Sequence, residues 1–129
     1  IGSCMGLYSY LKDNCPQLDV TVYLETPGSE FHYIRDIDKI QTIPDIKKEY
    51  DVFFVLDCSS LDRIEPFHSC FENAKKTVCI DHHISNGSFA DVNVVDAQAS
   101  SACEVLYRTL ELCMIRACLS TARRRHRRC

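Results

Sequence analysis

The run Tyr50-Asp51-Val52-Phe53-Phe54-Val55-Leu56 ends in five consecutive apolar residues, and this constrains the fold more than any other stretch. A strand with one face in water alternates apolar and polar side chains. An unbroken apolar run belongs to a strand covered on both faces. Thr77-Val78-Cys79-Ile80 is a second run of this kind. Residues 63–74 between them read as a helix, which is what a crossover between parallel strands requires. The expected class is therefore α/β, a parallel sheet with helices on both faces.

The rest of the chain fits that frame. Met5, Leu7, Tyr8 and Leu11 fall at helical spacing within Gly2 to Asn14, and Cys15-Pro16 closes that helix. Asp19 to Leu24 reads as a short β-branched strand, residues 26–29 as a loop, and Phe31 to Ile43 as a short helix with a turn. Asp91 to Val95 is a further strand. Ser101-Ala102-Cys103-Glu104 has capping-box spacing and opens a helix expected to run through Leu112.

In such sheets ligands bind in the crevice beyond the carboxyl ends of the strands. Asp57 directly follows the first apolar run, and Asp81-His82-His83 directly follows the second. One crossover joins the two runs, so their strands are expected to be neighbours and their ends to share one crevice. Carboxylates and neutral imidazoles ligate divalent ions such as manganese and iron. A carboxylate can also bridge two ions, and a metal pair about 3.5–4 Å apart clamps both oxygens of a phosphoryl transfer. The residues alone leave an alternative open. An acid after a strand also caps helices or forms turns, and a His-His pair also occurs in surface turns.

Other polar residues carry weaker signals. Ser100 and Ser101 read first as helix caps and only second as phosphate contacts at a helix N-terminus. Asp62 and Arg63 read as a surface ion pair, and Asp96 as a turn residue at a third strand end. Lys47-Lys48 and Lys75-Lys76 read as solvated faces. His32, His68 and His126 have no partner pattern.

At 129 residues the chain is one domain or part of one. No apolar run approaches the ~18 residues of a membrane span. The nine cysteines are odd in number and include no C-x-x-C pair. They read as free thiols in a reducing, cytoplasmic compartment rather than as a disulfide framework. A zinc site from Cys58, Cys70 and Cys79 is an alternative whose spacing fits no common template. The net charge of −3 conceals a split: all 18 acids lie in residues 1–112, whereas residues 113–129 hold six arginines and no acid. The abrupt change at Cys113 suggests a frame-shifted or disordered basic tail. Its arginines also suit binding to nucleic-acid phosphates.

Three stretches, VLDCSSLDR at 55–63, IDHHISN at 80–86 and SSACE at 100–104, resemble the DHH-family phosphoesterases. The branch they are most similar to comprises the bacterial oligoribonucleases and 3′-phosphoadenosine-5′-phosphate phosphatases. The resemblance covers most of residues 1–112 and implies a Rossmann-like DHH domain, with residues 113–129 outside it. By resemblance, Asp57 is the metal-bridging aspartate and His82 a metal ligand. Asp81 supports the metal site, and His83 lies at the substrate phosphate. The resemblance further implies a pair of Mn2+ ions, with Mg2+ or Fe2+ as alternatives. The implied substrate is short RNA or a nucleotide, and no membrane partner is implied. A cyclic-dinucleotide phosphodiesterase, or a non-catalytic nucleotide- or RNA-binding module, is the competing reading. A homodimer is left open. The family's His-x-x-Pro-Asp-x-Asp-Ala motif does not precede Ile1 here, and its later aspartate and C-terminal domain do not follow. The chain is therefore expected to be an incomplete domain, inactive alone.

Overall fold

A computed structural model describes the backbone of residues 1–126 and the side chains of residues 1–114. The chain runs α1 (Gly2–Asn14), β1 (Val22–Tyr23), β2 (Ile40–Gln41), β3 (Phe53–Leu56), α2 (His68–Glu72), β4 (Thr77–Asp81), β5 (Val92–Val95) and α3 (Ala102–His126). Short 3-10 turns occupy Ser29–Phe31, Ile37–Lys39 and Leu61–Ile64. β3, β4 and β5 form one parallel sheet with β4 central, and β1 pairs in parallel with β2.

The register shows why the apolar runs were uninterrupted. Leu56, Ile80 and Val94 lie side by side across the sheet. They pack with Leu7 and Leu11 of α1 and with Val105, Leu106 and Leu110 of α3. The next residue back along β3, Val55, faces the opposite way and packs with Cys58, Phe71, Leu61, Ile64 and Phe89. Helices thus cover both faces, as α/β architecture requires. Ile80 is 3% exposed, and burying such a side chain contributes about 1.5–3 kcal/mol. α1 serves both sheets. Leu7 and Leu11 face the larger one, while Met5 and Tyr8 pack with Val22, Ile34 and Ile40 against the smaller.

Four local expectations need correction. The strand expected over Asp19 to Leu24 is only Val22–Tyr23. Phe31 to Ile43 forms 3-10 turns and then β2, a strand that exists because β1 pairs with it. The helix expected over residues 63–74 is broken: a 3-10 turn ends at Ile64, and α2 begins only at His68. Pro66 lies between them, and proline lacks the donor that a continuing helix needs. Finally, β3 is not buried throughout. Phe54 is 39% exposed, whereas the central strand β4 is buried at four of its five residues. β3 sits at the edge of its sheet, so one flank lacks a neighbour.

The capping expectation at α3 is met with a shift. Glu104 N–H donates to Ser101 Oγ at 3.3 Å, but the Glu104 carboxylate accepts from Ser100 N–H and Oγ, each at 2.8 Å. α3 then runs past Leu112 to His126 without a break at Cys113. None of the described helices is long and apolar enough to cross a membrane.

Candidate metal centre

The parallel pairing of β3 with β4 brings the two polar strand ends together. Asp57 N–H donates to Ile80 O at 3.0 Å and extends the ladder by one rung. Asp57 then leaves the strand in the left-handed region, φ 60°. Aspartate tolerates that region better than most residues, and such strain clusters at functional sites. The turn leaves the Asp57 side chain half exposed, with Oδ1 3.5 Å from His82 Nε2. Asp57, His82 and His83 each offer one ligand atom within 4.8 Å of the others, the one such group of three among the described residues.

Both imidazoles are held from behind. His82 Nδ1 donates to Ala99 O at 3.3 Å; the carbonyl can only accept, so the proton sits on Nδ1 and Nε2 keeps its lone pair. His83 Nδ1 lies 2.7 Å from Asp81 Oδ1. An ionised Asp81 likewise places the proton on Nδ1 and leaves His83 Nε2 free. A carboxylate or carbonyl behind a ligating histidine is the usual way to fix its tautomer and ring angle.

Asp81 itself is fully buried. Burial pushes its carboxyl up toward the neutral form. Hydrogen bonds from Asn86, from His83 and from the His82 backbone outweigh that, so it lies below the ordinary carboxylate value. Its second oxygen, Oδ2, accepts from Asn86 Nδ2 at 2.7 Å. Asp81 therefore stands behind the site, aiming His83, while the ligand atoms of Asp57, His82 and His83 gather together.

The donor set suits a hard or borderline divalent cation. It offers a carboxylate, which can bridge, and two imidazole nitrogens with lone pairs fixed outward. Opposite ligands of one ion at ordinary bond lengths are about 4.2 Å apart. The 4.8 Å spread thus closes on one ion with a small adjustment or accommodates a bridging carboxylate.

Other residues singled out in the sequence take structural places. Asp96 pairs with Arg108 at 3.2 Å, and Arg108 also pairs with Glu104. Asp62 is held below the ordinary carboxylate value by Ser60 and sits on the 3-10 turn. His68 lies 3.6 Å from Glu72 one helical turn on. The three candidate zinc thiols do not gather. Cys70 Sγ points to Asp45 O, Cys58 Sγ to Ser60 O and Cys79 Sγ to Cys58 O. They are buried free thiols. Asn86, which the sequence reading passed over, proves central. Its one advance signal was its place three residues after the His-His pair.

Comparison with known proteins identifies the family. The model of the DHH family, N-terminal domain, matches residues 1–126. The chain is 24% identical over 106 residues to the bifunctional oligoribonuclease and PAP phosphatase NrnA of Bacillus subtilis. It is 29% identical over 110 residues to the probable bifunctional oligoribonuclease and PAP phosphatase NrnA of Streptococcus mutans. Each alignment covers 82% of this chain and 32% of the relative, so the chain spans about a third of the length of these proteins. The crystal structure of an exopolyphosphatase-related protein from Bacteroides fragilis shares the fold, with a TM-score of 0.72 at 24% identity. That superposition covers 84% of this chain and 34% of that one.

Proposed function

The chain belongs to the DHH family, and on that premise we propose that it is the metal-binding part of a phosphoesterase acting on short oligoribonucleotides or 3′-phosphoadenosine 5′-phosphate. The observation that carries this reading is the convergence of Asp57, His82 and His83 at the carboxyl ends of two adjacent parallel strands. The names of the two NrnA relatives support the substrate class.

Asp57 and His82 hold Mn2+ in this reading, with Mg2+ or Fe2+ as substitutes, and Asp57 is the carboxylate available to bridge two ions. When bound, such ions polarise a phosphoryl oxygen and make water nucleophilic near neutral pH. The chain's own residues set the geometry. His82 is locked by the Ala99 carbonyl, so its Nε2 lone pair is presented without a tautomeric cost. His83 Nε2 faces the phosphate. Asp81 Oδ1, 2.7 Å from its Nδ1, holds the ring at that angle. Asp57, being half exposed, can meet both metal and solvent.

The test is calorimetric titration of the chain with Mn2+, together with hydrolysis of a diribonucleotide by the longer protein that contains it. Saturable Mn2+ binding that His82→Ala abolishes, with hydrolysis lost in the same variant, is the expected result. Binding unchanged by His82→Ala would overturn the reading. The 129-residue chain alone is expected to bind metal and to turn over little substrate.

A further inference from the structure

Asn86 is the residue on which the two halves of the site converge, and we propose that it is a positioning residue that sets Asp57 and His83 relative to each other. The proposal rests on the metal-site reading above and concerns a side chain that touches neither metal nor substrate in that reading.

The orientation of its amide is fixed by its neighbours. Nδ2 lies 2.7 Å from Asp81 Oδ2, 3.2 Å from Cys58 O and 3.4 Å from Cys79 Sγ, all acceptors. On the other side Oδ1 accepts Ser88 N–H at 2.8 Å. A flipped amide would oppose donor to donor at Ser88 and acceptor to acceptor at Asp81 and Cys58, so one assignment satisfies the site. The two amide hydrogens then have two principal targets. One is the carboxylate that aims His83. The other is the carbonyl of the residue directly after Asp57.

The surrounding backbone repeats the same connection. Asn86 N–H donates to His83 O at 3.1 Å and closes the turn after β4. Gly87 N–H donates to Ser59 O at 3.2 Å and lays that turn against the loop after β3. Asn86 is the one side chain among the described hydrogen bonds that bridges these two loops. An aliphatic residue there would leave a buried carboxylate oxygen and a carbonyl short of a donor, and would free the Asp57 loop from the His83 support.

In the unsubstituted chain, the Asn86 side-chain amide protons exchange slowly with solvent, a measurement that needs no variant. In Asn86→Ala and Asn86→Ser, far-ultraviolet circular dichroism is retained. Mn2+ affinity falls about 10- to 100-fold, the usual effect of removing support behind a ligand. The His83 ring keeps its proton on Nδ1, still set by Asp81, but its nitrogen-15 signals broaden as the carboxylate behind it loosens, whereas those of His82, held by Ala99, stay sharp. Fast amide exchange in the unsubstituted chain overturns the proposal. So does a folded variant with the parent's Mn2+ affinity and sharp His83 signals. A chain that binds no Mn2+ but shows slow Asn86 exchange and broadened His83 signals on substitution refutes the functional reading and leaves the positioning role supported.

Discussion

Asp81→Asn perturbs the histidine geometry at its root. Asp81 is fully buried and accepts from His83 Nδ1 and Asn86 Nδ2, each at 2.7 Å. Asparagine fills the same volume with one acceptor and one donor, so one of the two incoming donors must meet another donor. Asn86 cannot turn without losing its bonds to Cys58 O and from Ser88 N–H. His83 has the easier route: its proton moves from Nδ1 to Nε2, and Nδ1 then accepts from the new amide. A hydrogen bond to a charged group contributes about 1.5–3 kcal/mol, which biases the native tautomer about ten- to hundredfold. The substitution removes that bias and reverses it. Folding stability falls less, by about 1–2 kcal/mol, because the variant no longer buries a charge. Long-range nitrogen-15 spectra of the histidine rings, recorded near pH 8, read the tautomer directly, and urea unfolding reads the stability. His82 serves as the internal reference. A His83 ring that keeps its proton on Nδ1 in the variant would show that the Asp81 charge does not set the tautomer.

Other outcomes follow from the packing and the charges. Ile80→Ala removes a 3%-exposed side chain from between α1, α3 and the sheet; chemical denaturation should show a loss of about 2–5 kcal/mol. Asp91 accepts Thr77 N–H at 2.9 Å and the Thr77 hydroxyl, chiefly the backbone bond holding it below the ordinary carboxylate value. A lowered folded value means stability present above the unfolded value near ~3.9 and lost as pH falls through the lower folded one. Asp91→Ala should therefore lower the urea midpoint at pH 7, and the gap to the parent should narrow toward pH 3. Maleimide labelling read by peptide mass should mark exposed Cys103 in the native chain, and Cys79, with 0% exposure, only after unfolding.

The sheet and its polar ends were legible because they follow from local pattern. Five apolar residues in a row leave few options for 52–56, and an acid with two histidines at the end of a second run marks a crevice. What escaped depends on partners distant in sequence. β2 is two residues long and is a strand through its pairing with β1, not through any pattern of its own. The exposure of Phe54 follows from the edge position of β3, which apolar content does not encode. Pro66 was visible, yet the helical pattern around it outweighed a breaker that physically wins. α3 continues past Leu112 because arginine, alanine and leucine all favour helix, so a change of charge at Cys113 does not end it. Asn86 was hidden because its partner Cys58 lies 28 residues away.

The most direct measurement is anomalous diffraction at the manganese edge from crystals grown with Mn2+. The expected result is a peak about 2.0–2.5 Å from an Asp57 carboxylate oxygen and from His82 Nε2, with His83 alongside. A chain that crystallises in the same fold with excess Mn2+ and shows no peak between Asp57 and His82, or shows one elsewhere instead, would contradict it.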